Sequence, residues 1–181
     1  MYRMSEKPLI RANEICERVT TLAREIAAAY DYDILISALT GAYMFTADLT
    51  RELAKAEGAK VYQKTIVFIK ASSYGNSTES SGKLQVHGLE KIDLKGMKIL
   101  MVDDIADTGT TMLGLYKMLQ EAGAQEIRTC VLLNKQERRE VDLTADFVGF
   151  EIANEFVVGY GLDYANDYRF LPDIWTLQET N

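Results

Sequence analysis

Lys98 to Thr111 reads KILMVDDIADTGTT, an apolar run that breaks at once into acids, threonines and a glycine. Lys98 to Val102 is short and continuously apolar after its lysine, the pattern of a strand covered on both faces. Asp103, Asp104 and Asp107 follow directly. Carboxylates this close repel one another, so their placement at a strand end calls for ligand hydroxyls, a cation or a proton-transfer task. Thr108, Gly109, Thr110 and Thr111 then lead into a helix expected over Met112 to Ala122, capped by Gly123. Threonine hydroxyls, free N–H groups and the helix dipole form an anion site there, and Gly109 lets the backbone come close. An acidic pair beside a phosphate cradle suits a ligand carrying both hydroxyls and phosphate, such as a ribose phosphate. A helix cap with solvated acids explains single residues of this string but not the string as a whole.

The rest of the chain supplies a frame for that site. Ile10, Ile15, Val19, Leu22, Ile26 and Ala29 recur at helical spacing, and Ala42 to Glu57 is a second helix ending at Gly58. Strands are expected at Ile34 to Leu39, Val61 to Ile69, Leu84 to Leu94 (with a turn), Ile127 to Leu133 and Phe147 to Ile152. Ala71 to Gly82, ASSYGNSTESSG, cannot bury itself and is expected to be a mobile surface loop. This alternation predicts an α/β fold with a parallel sheet, one domain over residues 1–181, and a small hood made by the chain ends. Ligands of such sheets bind where strands end and helices begin, which points again at residues 103–111.

Composition narrows the partners. At 181 residues, with 48% apolar and 26% charged residues, the chain has the balance of a soluble globular protein, and cytoplasm is its expected location. A net charge of −7 argues against broad binding to nucleic acid or anionic membrane. Cys16 and Cys130 form neither a disulfide framework nor a CxxC pair and are expected to be reduced packing residues. His87, the single histidine, lies in a polar turn and receives no catalytic role; Trp175 is expected to pack.

Three other readings share pieces of the central pattern. A response-regulator receiver needs a phosphoacceptor Asp at a later strand end, where this chain has Gly149 and Phe150. A nucleotide P-loop fails because Leu84 follows Gly82 and Lys83, with no glycine five residues before Gly82. Gly159-Tyr160-Gly161 runs into Leu162, Asp163 and Tyr164, so there is no GxGxxG.

VDDIADTGTT resembles the phosphoribosyl-pyrophosphate motif of type I phosphoribosyltransferases. Five further stretches resemble the hypoxanthine(-guanine) phosphoribosyltransferases of that family. They are Lys135 with Glu137 to Val141, Asp146 to Ile152 (DFVGFEI), Glu155 to Tyr164 (EFVVGYGLDY), and Ser72 to Gly75 together with Gly41 to Leu49. The resemblance covers nearly the whole chain. It implies the type I fold, magnesium as cofactor, and transfer of a phosphoribosyl group to a purine base, hypoxanthine first and guanine second. It further implies a homodimer or homotetramer.

The resemblance also implies roles. Asp103 and Asp104 would hold the ribose hydroxyls and, directly or through water, magnesium. Asp107 would be general base or acid at N7 of the purine. Thr108, Gly109, Thr110 and Thr111 would hold the 5′-phosphate. Lys135 would donate to the 6-oxo group, Phe156 would stack on the base, and the Val157 backbone would read its edge. Asp163, in the same base-binding stretch, would bind magnesium, and Arg169 would meet pyrophosphate. Ser73 and Tyr74 would belong to a lid that excludes water from a cationic ribose centre. An Asp-rich, His-poor site suits magnesium, a hard cation that takes oxygen ligands. Thr40-Gly41 stands where the family usually has Lys-Gly in a loop contacting pyrophosphate. The backbone part of that contact does not depend on the side chain, but the lysine charge is missing. The contrasting expectation is a non-catalytic nucleotide-sensing regulator on the same fold, disfavoured by the acidic charge and an intact Asp107.

Overall fold

The structure is a computed structural model and describes residues 2–73 and 84–179. Its centre is a six-stranded sheet in the order β4-β3-β2-β5-β6-β7. The strands are β2 (Ile34–Leu39), β3 (Thr65–Ser73), β4 (Leu84–His87), β5 (Lys98–Ala106), β6 (Glu126–Asn134) and β7 (Phe147–Glu151). All neighbours run parallel except β4, which pairs antiparallel with β3 at one edge. β2 and β5 lie in the middle and are apolar along most of their length because helices cover both faces.

Successive β5 residues divide between two cores. Leu100 and Val102 face the layer formed by α1 (Ala12–Ala29) and α2 (Tyr43–Glu57), where Val19, Leu22, Ile26, Phe45 and Leu49 are buried. Ile99 and Met101 face α3 (Thr110–Glu121), packed through Met112, Leu115 and Leu119. The α1 stripe Ile15, Val19, Leu22, Ala23 and Ile26 is fully buried, as the sequence spacing requires. Glu14 supports its start by accepting a 2.9 Å bond from the Arg11 N–H.

A second, three-stranded sheet in the order β1-β9-β8 joins Tyr2–Met4, Trp175–Glu179 and Phe156–Val158. It is the hood: both chain ends take part, and β8 brings in a third segment that carries no strand-length apolar pattern of its own. Pairing with Thr176 and its neighbours makes β8 a strand.

Several boundaries differ from the sequence reading. The strand expected from Val61 begins at Thr65, because Gly58–Gln63 forms a 3-10 helix after Gly58 turns the chain at φ 60°. The strand expected to end at Val102 runs on to Ala106, since Asp103 and Ile105 stay in register with Val131 and Leu133 of β6. Ala71 to Ser73 continue β3 rather than opening a loop, and β4 stops at His87. Tyr74 and the remainder of the expected lid lie outside the described residues. Cys130 is buried as expected, whereas Cys16 faces outward from α1, one position past the buried Ile15. Among the described residues, no helix is long and apolar enough to cross a membrane.

Candidate active site

The site forms where β5 ends and α3 begins. Continuing β5 through the acids places Asp103 and Asp104 on a rigid strand instead of a loop. Each carboxylate accepts from the next residue's N–H, Asp103 from Asp104 at 2.9 Å and Asp104 from Ile105 at 2.8 Å. Burial raises both carboxyls above the ordinary carboxylate range, and the Asp104 charge pushes Asp103 up further. Arg169 pulls Asp104 the other way, so its cation lies within electrostatic reach of the pair.

Beyond Asp107 the chain enters α3 through Gly109, which sits at φ 83° as the residue preceding the helix. That left-handed conformation favours glycine. The Thr108 hydroxyl lies 3.2 Å from that of Thr110, and Leu113 N–H closes the first helical bond to Gly109 at 2.8 Å. The Thr110 N–H donates to the Thr108 hydroxyl at 3.4 Å, and the N–H groups that follow it in the first turn have no helical carbonyl to meet, as at any helix N-terminus. A cavity of ≈ 170 Å³ opens over this turn, lined by Asp103, Ile105, Asp107, Thr108, Gly109 and Thr111 among others.

A larger cavity of ≈ 480 Å³ adjoins it and shares Ile105 and Asp107. Lys135, Arg138, Glu155, Phe156, Val157 and Asp163 line it as well. Lys135 is 4% exposed, and its backbone N–H donates to Ala106 at 2.9 Å, so the amine projects from a fixed point. Its Nζ lies 3.5 Å from Asp107 Oδ2, while Arg138 Nε lies 3.2 Å from Oδ1. Asp107 therefore stands between two cations at the junction of the cavities. Phe156 is 47% exposed at the rim and belongs to an aromatic group, edge-on to Tyr164 at 5.7 Å and 6.3 Å from Tyr2. Val157 lies on β8, an edge strand of the hood, which leaves alternate peptide groups unpaired by β9 and available to a ligand.

Asp163 and Arg169 come from the turn between β8 and β9. Arg169 Nη2 meets Asp163 Oδ1 at 2.8 Å, and its Nη1 donates to Gly161 O at 2.7 Å. Gly159, Tyr160 and Gly161 are three consecutive left-handed residues at φ 97°, 50° and 98°. They bring the backbone against the Thr40-Gly41 loop so tightly that a Cβ on Gly161 would lie 2.2 Å from Gly41 O. A Cβ on Gly41 would in turn lie 1.6 Å from Asp104 Oδ2. Thr40, Gly41, Asp104, Gly161 and Arg169 thus converge, although they come from three distant parts of the sequence. The Thr40 side chain is exposed, and the Leu39–Thr40 peptide is cis.

The three proposed magnesium ligands are not gathered into one cluster. Among the described residues there is no group of three or more His, Cys, Asp or Glu placed to hold a metal. Asp103 and Asp104 sit on β5, Asp163 on the hood turn, with Gly41 and Arg169 between. That separation suits an ion that takes most of its oxygens from a diphosphate and water and only one or two from protein.

Ser73 ends β3 opposite Leu84, and Tyr74 lies outside the described residues. Sequence reasoning gave no role to Arg138, Arg139 or Gly161. The available signal was the recurrence of cations three and four positions after Lys135, within reach of it across one short turn.

A family model for the phosphoribosyl transferase domain matches residues 9–165. The chain is 38% identical over 176 residues to a hypoxanthine-guanine phosphoribosyltransferase of Aquifex aeolicus, covering 96% of this chain and 95% of that one. It is 36% identical over 170 residues to the hypoxanthine phosphoribosyltransferase of Escherichia coli K12, covering 92% of each. A crystal structure of a hypoxanthine-guanine phosphoribosyltransferase from Bacillus anthracis is 34% identical and superposes with a TM-score of 0.83, covering 98% of this chain and 100% of that one. The chain belongs to the phosphoribosyltransferase family, among the hypoxanthine(-guanine) phosphoribosyltransferases, which are transferases of purine salvage.

Proposed function

We propose that this chain, as a single domain over residues 1–181, joins hypoxanthine, and guanine second, to the ribose of phosphoribosyl pyrophosphate, releasing pyrophosphate. The observation that carries the reading is Asp107, at the junction of a base-sized cavity and a helix-start anion site and flanked by Lys135 and Arg138. Thr108 to Thr111 take the 5′-phosphate, and Asp103 and Asp104 take the ribose hydroxyls. The base lies in the larger cavity with its 6-oxo group on Lys135, its face on Phe156 and its edge on the Val157 backbone. A fixed cation donates to an oxo group and cannot accept from the amino group of adenine, which favours a 6-oxopurine. Asp107, within reach of N7, carries the proton that the base gives up or regains.

Breaking the bond at ribose C1 builds positive charge on the sugar and negative charge on the departing pyrophosphate. Arg169 and the backbone of Thr40 and Gly41 face that leaving group. Asp163, Asp103 and Asp104 would supply the hard oxygen donors that magnesium takes from protein. Magnesium, when bound, neutralises part of the pyrophosphate charge. Ser73 and Tyr74 would belong to the cover that keeps water from C1.

We place the enzyme in the cytoplasm, with no nucleic-acid or membrane partner, in keeping with its acidic charge. It associates as a homodimer or homotetramer, a reading supported by Ile66 and Phe68. These two side chains lie on one face of β3 and are exposed together with Tyr62. Pyrophosphate release with hypoxanthine, guanine, xanthine and adenine, with and without magnesium, tests the activity. No turnover of any base sinks it. Asp107→Asn is expected to lower kcat by about a hundredfold or more while nucleotide affinity holds within a few-fold. Equal losses in both would assign Asp107 a structural role.

A further inference from the structure

Arg139 lies at the end of the short turn Gln136–Arg138 that follows Lys135, directly behind the Thr108–Thr111 loop. Its Nη2 donates to Asn134 Oδ1 and lies 3.5 Å from Ala106 O. The other two nitrogens, Nε and Nη1, are buried and make no hydrogen bond. Among the described residues no carboxylate comes within ion-pair distance of this guanidinium. A Cβ placed on Gly109 would lie 2.7 Å from Arg139 Nη1 and 3.0 Å from its Cδ, so the cation touches the back of the loop at its left-handed residue.

The surroundings keep the charge where it is. Asn134 is 2% exposed, and its Nδ2 donates to both Glu151 oxygens at 2.9 and 3.0 Å, which turns Oδ1 toward Arg139. The same turn is bound to the loop by two backbone bonds, Lys135 N–H to Ala106 O at 2.9 Å and Glu140 N–H to Thr108 O at 3.0 Å. A guanidinium stays charged in any protein environment, and burying it with unused donors carries a cost. The uncompensated charge faces a loop shaped to receive an anion.

Building on the reading of Thr108–Thr111 as the 5′-phosphate site, we infer that Arg139 is a positioning residue for that phosphate. It supports Gly109 from behind through Asn134, and its charge is balanced by the ligand's phosphate and not by the protein. Asn134 and Glu151 belong to the same device, because they orient the guanidinium. Its neighbour Arg138 points the other way, to Asp107 in the base cavity.

The test compares Arg139→Gln, Arg139→Lys and the exchange Asn134→Asp with Glu151→Gln. Measured for each are KM for phosphoribosyl pyrophosphate, KM for hypoxanthine, kcat, and affinity for IMP and inosine. Arg139→Gln is expected to raise KM for phosphoribosyl pyrophosphate and Kd for IMP about tenfold, the scale of one charge-assisted contact. KM for hypoxanthine and kcat should stay within about twofold. Arg139→Lys keeps the charge and recovers most of that loss. The exchange keeps the total charge and a hydrogen bond between positions 134 and 151, now donated by the new amide at position 151 in place of the two that Asn134 donates, but sets a carboxylate against Arg139. It should weaken IMP by about threefold or more without lowering Tm.

Equal changes in both KM values, or none, would overturn the inference, as would wild-type affinity in the exchanged protein. If Arg139→Gln does not fold, the exchange decides alone. A wild-type enzyme that binds IMP no better than inosine would instead overturn the phosphate-loop reading on which the inference rests.

Discussion

Gly41→Ala separates the geometry of the site from the stability of the fold. Gly41 is not in the left-handed region, so an alanine there costs nothing in backbone conformation. Its new methyl would lie 1.6 Å from Asp104 Oδ2, 2.7 Å from Cγ and 3.4 Å from Oδ1. The obstruction is the end of one side chain, and rotation of that carboxylate relieves it. Holding Asp104 off its preferred rotamer costs about 0.5–1.5 kcal/mol. For a chain of this size each kcal/mol moves Tm by roughly 2–4 °C, so the melting point should fall by a few degrees at most.

The functional loss is expected to be larger because Asp104 would leave the position proposed for it at the ribose hydroxyls. Losing one hydrogen bond to a charged group costs about 1.5–3 kcal/mol. At about 1.4 kcal/mol per factor of ten, kcat/KM for phosphoribosyl pyrophosphate should drop roughly 10- to 150-fold. The assay is initial rate against phosphoribosyl pyrophosphate at saturating hypoxanthine, with a thermal melt on the same preparation. A variant with kcat/KM within about twofold of wild type refutes the reasoning, because Asp104 would then be dispensable at that position. A fall in Tm beyond about 10 °C would show that the backbone moved and not the carboxylate.

Gly161→Ala should cost more stability than Gly41→Ala. The residue sits at φ 98°, and the atom its methyl would meet is the Gly41 carbonyl at 2.2 Å, which cannot rotate away. The left-handed penalty alone is about 1–2 kcal/mol, so a melt should show a drop larger than that of Gly41→Ala; an equal or smaller drop counts against the packing described. Asp103→Asn tests the acidic pair in metal-free buffer. Burial and the Asp104 charge raise the folded-state carboxyl above its unfolded value near 3.8. The stability it contributes is therefore complete below that value and is lost as pH rises through the folded pKa. Asparagine never ionises, so the variant should melt higher than wild type at neutral pH, and the gap should close as pH falls toward 4. A gap that widens on acidification contradicts the assignment.

The sequence alone determined much of this protein because its signals are local. The α1 stripe from Ile15 to Ile26, the apolar runs of β2 and β6 and the break from KILMV into DDIADTGTT each follow from spacing within one segment. Helical period, strand burial and the free donors of a helix start act over a few residues, so they are legible in order along the chain. Asp107 and the threonines belong to that class, and the resemblance added the base-side residues Lys135, Phe156 and Asp163.

Tertiary structure decided what depends on pairing between distant segments. β5 continues through Asp103 and Asp104 because β6 holds it in register to Asn134, although the local sequence turns polar at Asp103. β8 exists because β9 pairs with it, and the chain ends become a hood only once β1 joins them. Cys16 has the composition of a packing residue, and one step of helical rotation turns it outward. Gly41 lies against the Asp104 carboxylate on one side and the Gly161 backbone on the other, and Arg139 reaches Gly109 because the short turn after β6 carries it there. Such contacts join residues with no common periodicity, and the core that forces them together forms only when the whole sheet is assembled.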